Sequence, residues 1–279
     1  MQQAYVKDLI TPGVYKLSNG VAAPITTFTE RNKRVNSVYG TATLSYANKI
    51  FLDVTGRNDW SSTLPSGNNS FFYPSVSTSF ILSDLLRLPE QISFAKLRAS
   101  WAQVGNDTDP YKTAKYYNTS AFPGSASVSP TLYNARFKPE ISNSIEVGLD
   151  WRMFKQRFGL DLAFYNNITR NQILDVPMDQ TTGYTKATMN SGKVRNRGIE
   201  LQLDGTPVKT KNFTWNSTFT WAKNYNKVLS LAAGLTDGQT IAYTGGTNCA
   251  LIAKVGGSIG DIYGYKLKRA PDGQVVWKD

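Results

Sequence analysis

The sequence predicts an all-β chain, an antiparallel transmembrane β-barrel that is partial, with about eight or nine strands of a larger barrel. Three observations predict it: a composition rich in aromatics but polar on average, period-two alternation in segments of membrane-spanning length, and connections that alternate between short and long.

Of the 279 residues, 12% are aromatic and 18% charged, and the mean hydropathy is −0.34. Soluble domains carry about 25% charged residues. A barrel wall departs from that figure because half of each strand faces lipid and the other half faces a wet lumen. No run approaches the 18 or so apolar residues of a spanning helix, which leaves the closed barrel as the spanning architecture. No charged segment followed by an apolar core opens the chain, so no signal peptide is visible at Met1–Ile10.

The alternation carries most of the weight. In 38–46, Val38, Gly40, Ala42, Leu44 and Tyr46 share one face, and Tyr39, Thr41, Thr43 and Ser45 the other. In 50–57, Ile50, Leu52, Val54 and Gly56 alternate with Phe51, Asp53, Thr55 and Arg57. Facing the apolar sets puts Tyr46 opposite Ile50 and Leu44 opposite Leu52, with a turn at 47–49. Segment 71–82 sets Phe72, Val76, Phe80 and Leu82 against Ser75, Ser77 and Ser79. Segment 93–104 sets Ala95, Leu97, Ala99 and Trp101 against Lys96, Arg98 and Ser100.

A cation facing lipid costs about 2–4 kcal/mol at mid-membrane, so Lys96 and Arg98 are expected to face the lumen. The same expectation holds for Glu146, Asp150 and Arg152, opposite Ile145, Val147, Leu149 and Trp151 in 142–153. In 158–166, Phe158, Leu160, Leu162 and Phe164 point outward and Asp161, Ala163 and Tyr165 inward. In 197–205, Glu200 and Asp204 are lumen-facing, opposite Ile199, Leu201 and Leu203. Segment 213–222 completes eight strands, with Phe213, Trp215, Phe219 and Trp221 against Thr214, Asn216, Thr218 and Thr220.

A soluble sandwich also alternates, and the connections distinguish the two. Gaps at 47–49, 83–92, 154–157 and 206–212 are short, whereas those near 58–70, 105–141, 167–196 and 227–257 are long. Barrels keep this rhythm, with short periplasmic turns and long extracellular loops. Aromatics reinforce it: Trp151, Phe154, Phe158, Phe213 and Trp215 stand beside short turns, and Trp60, Trp101, Trp221 and Tyr225 near long loops. Residues 1–34 are expected to be a strand and loop remnant, and 35–279 the partial barrel.

The absence of histidine removes Ser-His-Asp, Cys-His and His-metal chemistry, and the lone Cys249 cannot form an internal disulfide. Gly256-Gly257-Ser258-Ile259-Gly260 matches G-x-S-x-G, but with no base it reads as a glycine-rich turn. No enzyme is expected. The net charge of +11 raises nucleic-acid binding, yet the 31 Lys and Arg are scattered and form no basic run, so no nucleic-acid partner is expected. Basic residues at a barrel rim meet anionic lipid head groups instead.

Asn106, Asp107 and Asp109 offer clustered oxygen ligands that suit calcium, although before Pro110 they read first as turn formers; no other cofactor is expected. Trp60, Tyr116, Tyr117, Tyr133, Tyr184 and Tyr243 are loop aromatics whose faces suit stacking on sugars or packing on peptides, and equally packing loop on loop.

Several phrases together resemble the SusC/RagA family of TonB-dependent outer-membrane transporters of the Bacteroidetes. The most specific is Gly56-Arg57-Asn58-Asp59-Trp60-Ser61-Ser62-Thr63-Leu64-Pro65, followed by Phe72-Tyr73-Pro74-Ser75-Val76-Ser77. Lys96-Leu97-Arg98-Ala99-Ser100-Trp101, Lys138-Pro139-Glu140, Ile145-Glu146-Val147-Gly148 and Asn196-Arg197-Gly198-Ile199-Glu200-Leu201 are similar to further barrel strands of the family. Ile262-Tyr263-Gly264-Tyr265 resembles another strand.

The resemblance implies an outer-membrane barrel of about twenty-two strands with an N-terminal plug. It also implies import of a glycan or peptide nutrient, a SusD-like lipoprotein lid and energy from TonB. Plug and TonB box are not recognised in these 279 residues, so a barrel fragment is expected. The alternatives are a small self-closing passive barrel or adhesin, and a soluble aromatic-rich glycan-binding domain.

Overall fold

The computed structural model describes residues 2–28, 30–119, 124–232, 238–244 and 249–276. The chain divides into two compact units, Met1–Arg34 and Val35–Asp279. In the first, β1 (Gln2–Tyr5) pairs antiparallel with β2 (Ile25–Phe28). Asn19 braces the connection, its Nδ2 donating to the carbonyls of Thr11 and Val14 and its Oδ1 accepting from the Thr11 amide.

The second unit begins with β3 (Val35–Tyr46), β4 (Ile50–Ser61), β5 (Ser70–Ile81), the one-turn helix α1 (Leu82–Leu85) and β6 (Ile92–Asn106). Short loop strands β7 (Tyr117–Thr119), β8 (Ala126–Val128) and β9 (Thr131–Leu132) lead to β10 (Glu140–Met153) and β11 (Phe158–Arg170). Loop strands β12 (Ile173–Pro177) and β13 (Lys186–Asn190) precede β14 (Lys193–Lys209) and β15 (Thr214–Ser230). The chain continues through β16 (Gln239–Thr244), β17 (Cys249–Ala253) and β18 (Ile262–Gly264).

Eight strands form one antiparallel sheet in the order β15-β14-β11-β10-β6-β5-β4-β3. These are the eight segments predicted from alternation, each paired with its predecessor in the wall. Tyr46 stands opposite Ile50 and Leu44 opposite Leu52, the register derived from matching the apolar faces. Strands β3 and β15 stand at the two ends of the sheet, so these eight strands do not close on themselves, against the self-closing alternative.

Register sorts the side chains into rows. One row crosses the whole sheet through Tyr46, Ile50, Phe80, Leu97, Leu149, Leu162, Leu201 and Trp221. On the opposite face a row passes through Thr41, Thr55, Ser75, Ala102, Ser144, Asn167, Asn196 and Asn226. The apolar face is solvent-accessible along its length, as at Ile145, Val147, Phe164, Ile199 and Phe219. A continuous apolar face of that extent needs lipid against it, and its alternation with polar rows is that of a barrel wall.

Two expectations are corrected. Strands β14 and β15 each have 17 residues, reaching well past the segments 197–205 and 213–222. About 9–11 residues cross a bilayer, so apolar alternation fades where the bilayer ends, while pairing continues through Arg197 opposite Tyr225 and Arg195 opposite Lys227. Trp221 therefore lies within the strand, in the row of Leu97, rather than beside a long loop. Second, β18 does not extend the wall: it pairs with β17 in a separate three-stranded sheet. A four-residue phrase that resembles a family strand does not name that strand's partner.

The short turns are strained. Phe154, Lys155 and Gln156 all have positive φ, at 54°, 57° and 66°. Left-handed backbone costs a non-glycine residue roughly 1–2 kcal/mol. Tethers offset that cost: the Phe154 amide donates to the Gln91 carbonyl at 2.7 Å, and the Arg157 guanidinium donates to the Thr206 and Pro207 carbonyls.

Two clusters of buried apolar residues lie where loops meet strand ends. Leu64, Phe71 and Phe137 form one cluster, and Val194, Val228 and Ala253 another.

Candidate functional site

Two regions carry the polar chemistry. On the wall, Lys96, Arg98, Glu146, Asp150, Arg152, Glu200 and Asp204 all share the face opposite the apolar rows. Arg98 of β6 lies over Gly148 of β10 and reaches Asp161 of β11, with guanidinium nitrogens 3.2 and 3.0 Å from the carboxylate. A Cβ at position 148 would come within 2.4 Å of the Arg98 Nε.

Arg152 of β10 repeats the device. It lies over Gly159 of β11 to meet Asp204 of β14 at 3.3 Å, while its Nε donates to Asp150 at 2.8 Å. Tyr165 of β11 lies over Gly198 of β14 and donates to the Asn224 Oδ1 of β15 at 3.2 Å. In each case glycine on the intervening strand lets a long polar side chain span to the second strand away. Glu146 stands 3.7 Å from Arg98, and Lys96 faces Asp150 in register. Glu200 is exposed and has no ion-pair partner among the described residues.

The second region is a cavity of about 200 Å³ among the long loops, lined in part by Tyr111, Tyr116, Tyr133 and Tyr184. Its floor is a small sheet in which β13 pairs antiparallel with β12 and parallel with β9, Lys186 facing Thr131 and Ala187 facing Leu132. Thr185 ties the two loops by donating its amide to the Pro130 carbonyl at 2.8 Å. Asn190 does so again, exchanging hydrogen bonds with the Lys138 amide and carbonyl at 2.8 and 2.7 Å. Tyr111 packs edge-on against Tyr116 with ring centroids 6.0 Å apart.

Lys112, Lys115, Lys186 and Asp175 also line this cavity. Asp175 accepts from the Lys186 ammonium and the Thr188 hydroxyl, both at 2.6 Å. Burial pushes the Asp175 carboxyl up, but these two hydrogen bonds and the charges of Lys186 and Lys112 outweigh it and hold it below the usual carboxylate range. Burial, helped by Tyr111, pushes the Tyr116 phenol up. Lys112 pairs with Asp109 at 3.5 Å, and the Lys115 ammonium stands 5.2 Å from the centre of the Tyr117 ring.

Of the loop aromatics singled out in the sequence, the structure brings Tyr116, Tyr133 and Tyr184 together. Tyr117 is exposed next to the cavity and touches it through Lys115. Trp60 is elsewhere, on β4 opposite Asn36 and Ser70. The Tyr243 side chain lies outside the described residues. Tyr111 and the lysines were missed, although the run Tyr111-Lys112-Thr113-Ala114-Lys115-Tyr116-Tyr117 repeats a tyrosine-lysine pairing that marks them.

Asn106, Asp107 and Asp109 each have a partner of their own. Asn106 donates to Glu140 at 3.2 Å, Asp107 accepts from the Ser61 hydroxyl at 2.5 Å, and Asp109 meets Lys112. Among the described residues no three acidic, His or Cys side chains converge as metal ligands would. The G-x-S-x-G segment is a docked turn: Val228 exchanges backbone hydrogen bonds with Gly256 and Gly257, and the Ser258 hydroxyl donates to Asn226 at 3.2 Å.

An open antiparallel wall with one lipid-facing side, one charged side and folded loops at the rim defines an outer-membrane β-barrel protein. The chain belongs to the family described as TonB dependent receptor-like, beta-barrel, which matches residues 4–277. TonB-dependent receptor P26 of Formosa agariphila is 33% identical over 207 residues, covering 71% of this chain and 21% of that protein. TonB-dependent receptor SusC of Bacteroides thetaiotaomicron is 26% identical over 230 residues, covering 75% of this chain and 22% of that protein.

Among solved structures, the RagAB peptide importer in its closed-closed state superposes with a TM-score of 0.76 over 95% of this chain and 31% of that chain. At 20% identity, that likeness shows the fold alone. The chain spans 21–24% of the length of the curated relatives it matches.

Proposed function

We propose that this chain forms wall and outer loops of a TonB-dependent importer that takes up a glycan nutrient, with a SusD-like lipoprotein covering the loops. The observation that carries the reading is the loop cavity itself: the long connections fold into small sheets and bring tyrosines and lysines together at the rim opposite the short turns. The seven charged wall residues line the lumen, where Arg98 and Arg152 are neutralised in place by Asp161, Asp150 and Asp204 and present a polar surface to passing solute. Family membership supports the TonB coupling, and resemblance to the SusC/RagA phrases supports a lipoprotein partner.

The test is uptake of labelled glycans and peptides, in parallel, by cells with and without the receptor. Uptake of a glycan that disappears on deleting the receptor, and also on disabling TonB, is expected. Uptake that persists without TonB would identify a passive pore, and uptake confined to peptides would replace the substrate.

A further inference from the structure

We infer that the loop cavity is a subsite for one acidic sugar unit, a uronate or a sulfated hexose, within a glycan chain. The inference rests on the import reading above and gives the outer face of that importer its ligand chemistry.

Size comes first. Pockets that engulf a drug-sized ligand run about 300–1,000 Å³; this one, at about 200 Å³, accommodates a single ring. Four tyrosines give it broad apolar faces with hydroxyl tips, and the side chains of Thr131 and Thr188 add hydroxyl groups to the lining. A pyranose is made of the same two elements, C–H faces and a hydroxyl edge.

Charge decides the substituent. Three lysines and one carboxylate line the cavity: Lys186 is matched by Asp175 at 2.6 Å, and Lys112 is paired at 3.5 Å with Asp109, which stands outside the lining. Lys115 has no carboxylate partner among the described residues and is held over the Tyr117 ring. One positive charge is therefore left for an anion from outside. An acidic peptide side chain of this size supplies the anion without the ring, and an aromatic one supplies the ring without the anion. An acidic sugar supplies both in one unit.

The test uses the full-length receptor, purified in detergent and titrated by calorimetry. The probes are oligomers of glucuronate, galacturonate and sulfated galactose, each beside its neutral counterpart, and a glutamate-rich peptide. At least one acidic oligomer is expected to bind tenfold or more tighter than its neutral counterpart, and more weakly as salt is raised. Lys115→Gln is expected to weaken that oligomer about tenfold, the effect of removing one charged hydrogen bond, and to weaken the neutral one less. Tyr116→Ala is expected to weaken both.

Equal binding of acidic and neutral oligomers, or binding of the peptide alone, overturns the inference. So does failure of all three acidic oligomers to bind a receptor that still imports its glycan, a result that leaves the import reading standing. Uptake that proves independent of TonB fails the import reading whatever the titrations show.

Discussion

In the eight-stranded wall a residue's neighbours follow from register, whereas in the long loops they follow from which distant segments happen to meet. Leu149 has Leu97 and Leu162 beside it because every strand in the row keeps step. Tyr116 and Tyr184 share a cavity because Thr185 and Asn190 tie the 171–192 loop to the 107–139 loop. The difference teaches that one part of this molecule repeats a single rule, while the other depends on a few individual hydrogen bonds.

The largest effect should come from breaking the rule of the wall. Leu149→Arg puts a cation in the middle of the apolar row and is expected to cost about 2–4 kcal/mol. Ser77→Lys, on the polar face, should be near neutral. Urea titration of the full-length receptor in lipid vesicles, read by heat-modifiable gel migration, checks both; equal costs would mean that the faces are misassigned.

Next come the glycines that the polar rows pass over. A Cβ at Gly198 would lie 2.6 Å from the Lys223 backbone carbonyl as well as 2.5 Å from the Tyr165 hydroxyl. Gly198→Ala is expected to cost roughly 1–3 kcal/mol, the overpacking range. For Gly148→Ala, the three atoms nearest the new Cβ all belong to the Arg98 side chain, which can swing away from Asp161. That pair is about one-third exposed on each side, so its loss should cost under about 1 kcal/mol. The same titration ranks the two variants, and a reversed order would refute the argument from backbone contact.

A smaller effect should sharpen the contrast from the loop side. Because the folded-state pKa of Asp175 is depressed, its contribution is present above the unfolded carboxylate value of about 4 and is lost as pH falls through the lower folded value. Protection factors of amides 173–190, taken relative to the intrinsic exchange rate at each pH, should therefore fall below about pH 4, while those of 145–165 hold. Asp175→Asn should remove this pH step; a step that survives would assign it to another group.

The smallest effect should be a gain. Lys155→Gly relieves one left-handed residue of the 154–157 turn and is expected to add about 0.5–1 kcal/mol. A loss on urea titration would show that the lysine stem packs there.

How much was legible in advance divides along the same line. Alternation around Leu44, Leu52, Leu149 and Leu201 revealed the strands and even the register of the first hairpin, because a period of two is local and one face must be apolar. The loop tyrosines were visible one by one, but their partners were not. Tyr111, Lys112 and Lys186 come together through the parallel pairing of β13 with β9, between segments more than fifty residues apart. The placement of Asp107 against Ser61 is another long-range contact, a brace between two strand exits.

The sequence by itself determined the wall: its eight strands, its two faces and the side on which Lys96, Arg98 and Asp204 stand. Each follows from the cost of placing a charge or an unpaired peptide group in lipid. Only the tertiary structure decided how far the strands run beyond the bilayer, which glycines the arginines cross, and which loops meet to form the cavity. Those outcomes depend on contacts between remote segments in water, where no periodic constraint acts on the chain.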